Sequence, residues 1–200
     1  MIKSEHLVFK EMQLEDVKQF KNWGRHSSKM YDDYNFTEQT DEDIKNWYNW
    51  KVGVTRSTYY TIFLKDIAIG YISFKNKKPV LKTAEIGIVF DPNYIDRGFG
   101  YETLMKMLSV YFIDLEYNKI YLDVAQYNKR AYHLYKKLGF EKYSSMIMKY
   151  PNGRIEKESK DYLENKDAFV NFLGIAFFKA DRLSLTKERF EELWDLNLKK

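Results

Sequence analysis

Gly98 and Gly100 stand in the run Ile95-Asp96-Arg97-Gly98-Phe99-Gly100, between a β-type segment that ends at Phe90 and a strongly periodic apolar helix. A helix start reached through glycines presents bare backbone amides and the positive end of the helix dipole, and both favour a phosphate group. The same spacing also serves a plain tight turn, so the run alone leaves both readings open. A dinucleotide is one anion that a strand-turn-helix takes, and Asp123 near the end of the next strand would be its ribose partner. Thr103 at the third glycine position, and the hairpins that precede the unit, count against that ligand. A second group of interest is Tyr31-Asp32-Asp33-Tyr34, which joins phenol rings to carboxylates and so has the chemistry to receive a cation. His6, His26 and His133 fall in no metal-ligand spacing, and we expect no metal.

The elements that must position these residues follow from patterning. Leu7 to Phe9 reads as a first strand, and a helix from about Glu15 carries Val17, Phe20 and Trp23 on one side. Thr40-Asp41-Glu42-Asp43 has the side-chain oxygen and early carboxylates of a capped helix start, with Ile44, Trp47 and Tyr48 as the apolar stripe. Tyr59 to Leu64 and Ile67 to Phe74 are rich in β-branched and aromatic residues, joined by a two-residue turn at Lys65-Asp66. Ala84 to Phe90 alternates as a third strand of this meander and stops at Asp91-Pro92-Asn93. Leu104, Met107, Leu108, Tyr111, Phe112 and Leu115 then form one buried helical face. Lys119 to Ala125 is a strand, and Lys129 to Leu138 a helix stopped by Gly139. Ser145 to Tyr150 and Val170 to Lys179 are further strands, Pro151 to Lys166 a polar mobile loop, and a last helix begins after Thr186. Strands first, then alternating strand and helix, make an α+β sheet with helices on its faces.

Composition narrows the function. The 33 basic and 29 acidic residues are dispersed, so the net charge of +4 describes a mixed surface, and no basic arm or RNA signature points to DNA or RNA as partner. The absence of cysteine excludes a disulfide, a thiolate zinc site and a cysteinyl acyl-enzyme. The longest apolar-rich stretch, Ala168 to Phe178, is interrupted by Asn171 and too short to span a bilayer, and no apolar leader follows Met1; we expect a cytoplasmic protein with no membrane partner. Exposed edge strands leave monomer or homodimer open.

Two segments together carry a resemblance. The first is Asp91-Pro92-Asn93-Tyr94 followed by Gly98-Phe99-Gly100-Tyr101-Glu102-Thr103-Leu104. The second is Asn128-Lys129-Arg130-Ala131-Tyr132-His133-Leu134-Tyr135-Lys136-Lys137-Leu138-Gly139-Phe140-Glu141, one helix and one strand further on. In this ordered pair the chain resembles the GNAT superfamily of acetyl-CoA-dependent N-acetyltransferases, over Leu7 to Phe178, and Glu102 leans toward its ribosomal-protein-type and polyamine branches. The resemblance implies a single domain over residues 1–200, with its core at 7–180 and a C-terminal helix at 187–198. It implies the GNAT fold: a mixed, mostly antiparallel sheet of about seven strands, splayed between the fourth and fifth, with helices on both faces. The implied co-substrate is acetyl-CoA. Its pantetheine arm would pair with the backbone of Ile88, Val89 and Phe90, and its pyrophosphate would lie on Asp96, Arg97, Gly98, Phe99, Gly100 and Tyr101, with Asn128 as a further contact. Where the family usually begins the glycine motif with Gln or Arg this chain has Ile95, and Arg97 supplies a nearby positive charge.

The implied reaction is direct acetyl transfer to a primary amine: a protein N-terminus, a polyamine or another small molecule. Tyr135 is the implied proton donor to the departing thiolate, with core packing as its alternative role. Glu85, which alternates with the apolar residues of the cofactor strand, is the chosen base for the amine, with a solvated edge carboxylate as the alternative. Tyr31, Asp32, Asp33 and Tyr34 would select the acceptor. A domain of this fold that binds acyl-CoA as a sensor or scaffold, without turnover, is the competing reading.

Overall fold

A computed structural model describes residues 1–151 and 155–194. Clustering of contacts divides the chain into two compact units, Met1–Ser27 with Tyr34–Ile120, and Ser28–Asp33 with the described residues from Tyr121 onward.

The first unit is a meander whose strands pair antiparallel in chain order: β1 (Ile2–Lys3), β2 (Leu7–Glu11), β3 (Thr58–Leu64), β4 (Ile67–Lys78) and β5 (Thr83–Phe90). The β3–β4 hairpin closes at the expected Lys65-Asp66, with Leu64 opposite Ile67 and Lys65 at φ 57°. Helix α1 (Leu14–Lys18) tightens into a 3-10 turn over Gln19–Asn22, so Trp23 is already extended rather than on the helical stripe. Helix α2 (Asp41–Val52) starts where its cap requires: Asp43 N donates to Thr40 Oγ1 at 3.1 Å and Thr40 N to the Asp43 carboxylate at 3.4 Å. One face of this unit closes over Met12, Val17, Phe20, Phe36, Ile44, Tyr59, Phe63 and Ala68, with Trp23, Trp47, Tyr48 and Tyr71 packed around them.

Helix α3 (Phe99–Ser109) buries Leu104, Met107 and Leu108, and the turn that continues it buries Tyr111 and Phe112, as the periodicity requires, but Leu115 is 53% exposed. The cause is a π turn over Val110–Asp114, in which Leu115 N donates to Val110 O at 2.9 Å. The wider turn rotates the next residue off the stripe.

The second unit contains β6 (Lys119–Ala125) from Tyr121 onward, α4 (Lys129–Lys137), β7 (Glu141–Lys149), α5 (Lys160–Asn165), β8 (Phe169–Phe172), β9 (Ile175–Thr186) and α6 (Lys187–Trp194). Its strand order is β6-β9-β7, and β8 also pairs with β9. Strand β7 starts at Glu141, opposite Ser184, earlier than the expected Ser145, because nearly all of it is exposed and offers no apolar alternation to read. The stretch read as one strand, Val170 to Lys179, is a hairpin that turns at Leu173-Gly174, with Phe172 opposite Ile175. With β1, this raises the count from about seven to nine strands among the described residues. The stretch read as a mobile polar loop contains α5, capped by Ser159 Oγ, which accepts from Tyr162 N at 3.3 Å. The last helix begins as expected; its expected end at 198 lies outside the described residues.

Candidate active site

The turn expected to receive an anion lies wholly in the first unit. At the end of β5 the Asp91 carboxylate is buried and accepts from Gly24 N and Asn93 N through Oδ1, both at 2.9 Å, and Tyr94 N donates to Asp91 O at 2.8 Å. These bonds fix the Asp91-Pro92-Asn93 turn that leads to the glycines. Asp96 at φ 58° and Gly98 at φ 84° then reverse the chain, and Gly98 is the N-cap of α3. A Cβ on Gly98 would meet nothing within 4 Å, so glycine is needed for its torsion rather than for space. No side chain caps α3, whereas Thr40, Asn128 and Ser159 cap α2, α4 and α5. Its first-turn amides are thus not claimed by a capping oxygen, which is the arrangement that receives a phosphate. The Arg97 guanidinium lies 5.2 Å from the Tyr94 ring centroid, holding a positive charge in the same turn.

The β5 residues expected to meet pantetheine are half-buried. Ala84 and Ile86 are in the core, but Ile88, Val89 and Phe90 are not closed over, and all three stay in ladder register with Ile72, Tyr71 and Gly70 of β4. Glu85 is half-buried opposite Lys75, beside the irregularity of the β4–β5 ladder between Lys75 and Lys78. Its Oε2 accepts from Asn76 Nδ2 at 2.9 Å.

The second unit carries the other motif. Asn128 is buried and caps α4, its Oδ1 accepting from Ala131 N at 3.2 Å, as its position before the helix predicts. Two turns later Tyr135 is 9% exposed, with its ring 5.9 Å from that of Phe140. Asp123, the residue a bound dinucleotide would need for its ribose, is engaged by Arg182 through Nε at 2.7 Å and Nη2 at 2.8 Å.

The expected acceptor segment divides. Tyr31, Asp32 and Asp33 belong to the second unit and Tyr34 to the first. Tyr31 OH lies 3.4 Å from Tyr127 O, and Tyr150 OH donates to Lys29 O at 3.0 Å. Burial, aided by the charge of Asp32, raises the Asp33 carboxyl above its ordinary value; burial and then Asp33 raise the Tyr150 phenol. In the first unit Tyr34 sits edge-on to His26, with ring centroids 6.3 Å apart.

The first unit has an open cavity of about 480 Å³ lined by Thr37, Glu38, Asp43, Asn46, Trp47 and Trp50. Lys51 Nζ lies 4.0 Å from the Trp50 ring and 5.2 Å from the Trp47 ring, so these indoles already hold an ammonium group. Burial and then the Lys75 charge lower the Lys51 pKa, against the opposing pull of Glu38. Trp47 reads as helix stripe and Asp43 as cap, which conceals their second surface. Among the described residues no cluster of three or more His, Cys, Asp or Glu is placed to hold a metal, and no helix is long and apolar enough to cross a membrane.

An α+β architecture with a glycine-led, uncapped helix after the last strand of a meander defines a class of fold shared with known acetyltransferases. The structure of spermidine N-acetyltransferase from Vibrio cholerae in complex with CoA and spermine superposes with a TM-score of 0.68, covering 92% of this chain and 98% of that one at 18% identity. Residues 6–141 match the Acetyltransferase (GNAT) domain family, and the chain belongs to it. Over shorter stretches the sequence is similar to spermidine N(1)-acetyltransferase of Vibrio cholerae, at 29% identity over 48% of this chain and 56% of that protein. It is also similar to the N-acetyltransferase YnaD of Bacillus subtilis, at 31% identity over 52% of this chain and 61% of that protein. The chain thus spans little more than half the length of these curated relatives.

Proposed function

We propose that this chain is a cytoplasmic N-acetyltransferase that moves the acetyl group of acetyl-CoA directly to a primary amine, with residues 1–200 acting as one catalytic domain. The uncapped start of α3 behind the left-handed Gly98 carries the reading, because it suits the diphosphate of acetyl-CoA. Family membership across residues 6–141, which includes both motifs, supports it further. In this proposal Asp96 to Tyr101 grip the diphosphate, with Asn128 as a further contact, and the backbone of Ile88, Val89 and Phe90 pairs with the pantetheine arm. Glu85, directly or through a water, removes a proton from the acceptor ammonium. The amine nitrogen then attacks the thioester carbon, the C–S bond breaks, Tyr135 OH protonates the departing thiolate, and the second proton lost from the nitrogen restores the phenol.

For the acceptor we propose a small polyamine. A relative named spermidine N(1)-acetyltransferase supports this choice, and so does the cavity whose carboxylates and indoles suit ammonium groups. Tyr31, Asp32, Asp33 and Tyr34 are the remaining acceptor candidates.

The test is thiol release from acetyl-CoA against a panel of spermidine, spermine, an aminoglycoside and peptides with free N-termini. We expect release that depends on the amine, fastest with a polyamine, and a Tyr135→Phe variant whose kcat falls about 10²-fold or more while its acetyl-CoA affinity stays near wild type. Full turnover in that variant removes Tyr135 from the mechanism. Stabilisation of the fold by CoA without thiol release for any amine converts the reading to a non-catalytic acyl-CoA sensor.

A further inference from the structure

Glu102 places a carboxylate in the first turn of α3, the helix start assigned above to the diphosphate. An anion there competes for the same amides and the same end of the dipole that a phosphate would use. Its oxygens are nonetheless fully engaged elsewhere. Glu102 Oε1 accepts from Ser4 Oγ and from His6 N, both at 2.7 Å, and Oε2 lies 3.1 Å from His6 Nδ1. The donors come from the turn between β1 and β2, which is closed by Ser4 N donating to Leu7 O at 3.0 Å. Among the described residues the other carboxylate paired with the His6 ring is that of the exposed Glu5, 3.8 Å from Nε2. Burial works to raise the Glu102 carboxyl, but the Ser4 and His6 hydrogen bonds outweigh it and leave the group below its ordinary value, in its charged form.

We propose that Ser4 and His6 are positioning residues for acetyl-CoA: they draw the Glu102 charge into the β1–β2 turn and so keep the start of α3 receptive to the diphosphate. This rests on the acetyl-CoA reading. It assigns a cofactor-affinity role to a turn nearly 100 positions upstream in sequence.

The mechanism makes a prediction of sign. Were the contact only a structural tether, cutting it from either side would have the same effect. If it manages charge, releasing the carboxylate weakens CoA binding and removing the carboxylate does not. CoA is titrated calorimetrically against wild type, Ser4→Ala/His6→Ala, Glu102→Gln, and the three changes combined, with thermal melts of each. We expect the double variant to bind CoA about 3- to 10-fold more weakly, with the deficit largest at low salt. Glu102→Gln should bind as well as wild type or better, and the combined variant should recover to within about 2-fold of wild type. Acetyl-pantetheine, which lacks the diphosphate, should show no such pattern in KM. Weakened binding by Glu102→Gln, or failure of the combined variant to recover, overturns the inference and leaves the acetyl-CoA reading standing. Glu102→Gln alone decides the sign if the double variant does not fold. A wild-type chain that does not bind CoA overturns the acetyl-CoA reading, and this inference falls with it.

Discussion

Replacing Gly98 tests whether one torsion links fold and function. The residue sits at φ 84°, ψ −14°, while the seven other non-glycine residues with positive φ lie between 48° and 62°. Gly98 is therefore beyond the range that side chains in this protein occupy, and an L-residue forced into it is strained by about 1–2 kcal/mol. No steric penalty adds to this, because a Cβ would meet nothing within 4 Å. A stiffer unfolded chain returns about 0.4–1 kcal/mol to any glycine replacement. Gly98→Ala should thus cost about 1 kcal/mol net, a fall of about 2–4 °C in Tm for a chain of this size. If α3 instead escapes the strain by re-aiming its first turn, CoA affinity falls by about 10-fold or more while Tm changes less. Asparagine tolerates positive φ best of the side chains, so Gly98→Asn should fall between wild type and Gly98→Ala in both readouts. Scanning calorimetry with and without CoA, paired with titration of CoA, reads both quantities. Equal behaviour of Gly98→Asn and Gly98→Ala would refute the torsional argument, and wild-type values for Gly98→Ala would refute the role of this turn altogether.

Two further predictions follow from neighbouring geometry. Gly70→Ala should cost more than Gly98→Ala, about 2 kcal/mol or above, because its Cβ would lie 2.6 Å from Val89 O and 2.9 Å from Phe90 Cδ1, and a ladder backbone cannot swing aside; a melt no lower than that of Gly98→Ala contradicts it. Asp181 is 3% exposed and collects Gln126 Nε2 at 2.9 Å, Ser145 Oγ at 2.8 Å and Lys142 Nζ at 3.0 Å, so Asp181→Asn should lose about 1–3 kcal/mol at neutral pH. Burial opposes the Asp181 charge, but these partners outweigh it and lower the carboxyl, so its contribution is complete above the unfolded value near ~3.9 and lost as pH falls through the lower folded value. The Tm gap between wild type and Asp181→Asn should accordingly close only below about pH 4, and a gap that is flat with pH disproves the linkage.

What the sequence made legible is what local physics decides. The β3–β4 turn, the Thr40 cap, the Asn128 cap and the bounds of β6 are each set by a few adjacent residues, and each is found where those residues put it. Periodicity fails where the backbone changes its own repeat. Leu115 is off its stripe because of a π turn, whereas Trp23 packs with Val17 and Phe20 as expected although α1 tightens at Gln19. It also fails where there is no inside and outside to read, as along β7, or where a hairpin hides in a continuous apolar run, as between β8 and β9.

The site follows the same division. Its backbone half is local: Gly98 and the uncapped α3 are visible in a stretch of six residues. Its side-chain half depends on partners that sequence spacing cannot name. Nothing adjacent to Glu102 reveals that Ser4 and His6 hold its carboxylate, and nothing in the α2 stripe reveals that Lys51 lies over the Trp47 and Trp50 rings. The helix caps join the two halves. Of the six helices among the described residues, α2, α4 and α5 begin at Thr40, Asn128 and Ser159, whose side-chain oxygens satisfy their own amides, whereas α3 begins at Gly98, which has no side-chain oxygen to give. The Glu102 carboxylate in the first turn of α3 is held by Ser4 and His6 of the β1–β2 turn. A helix that needed only stability would have used the cap its neighbours use and would have kept Glu102 for its own dipole. That both are withheld at one helix end is the physical argument that an external anion completes it.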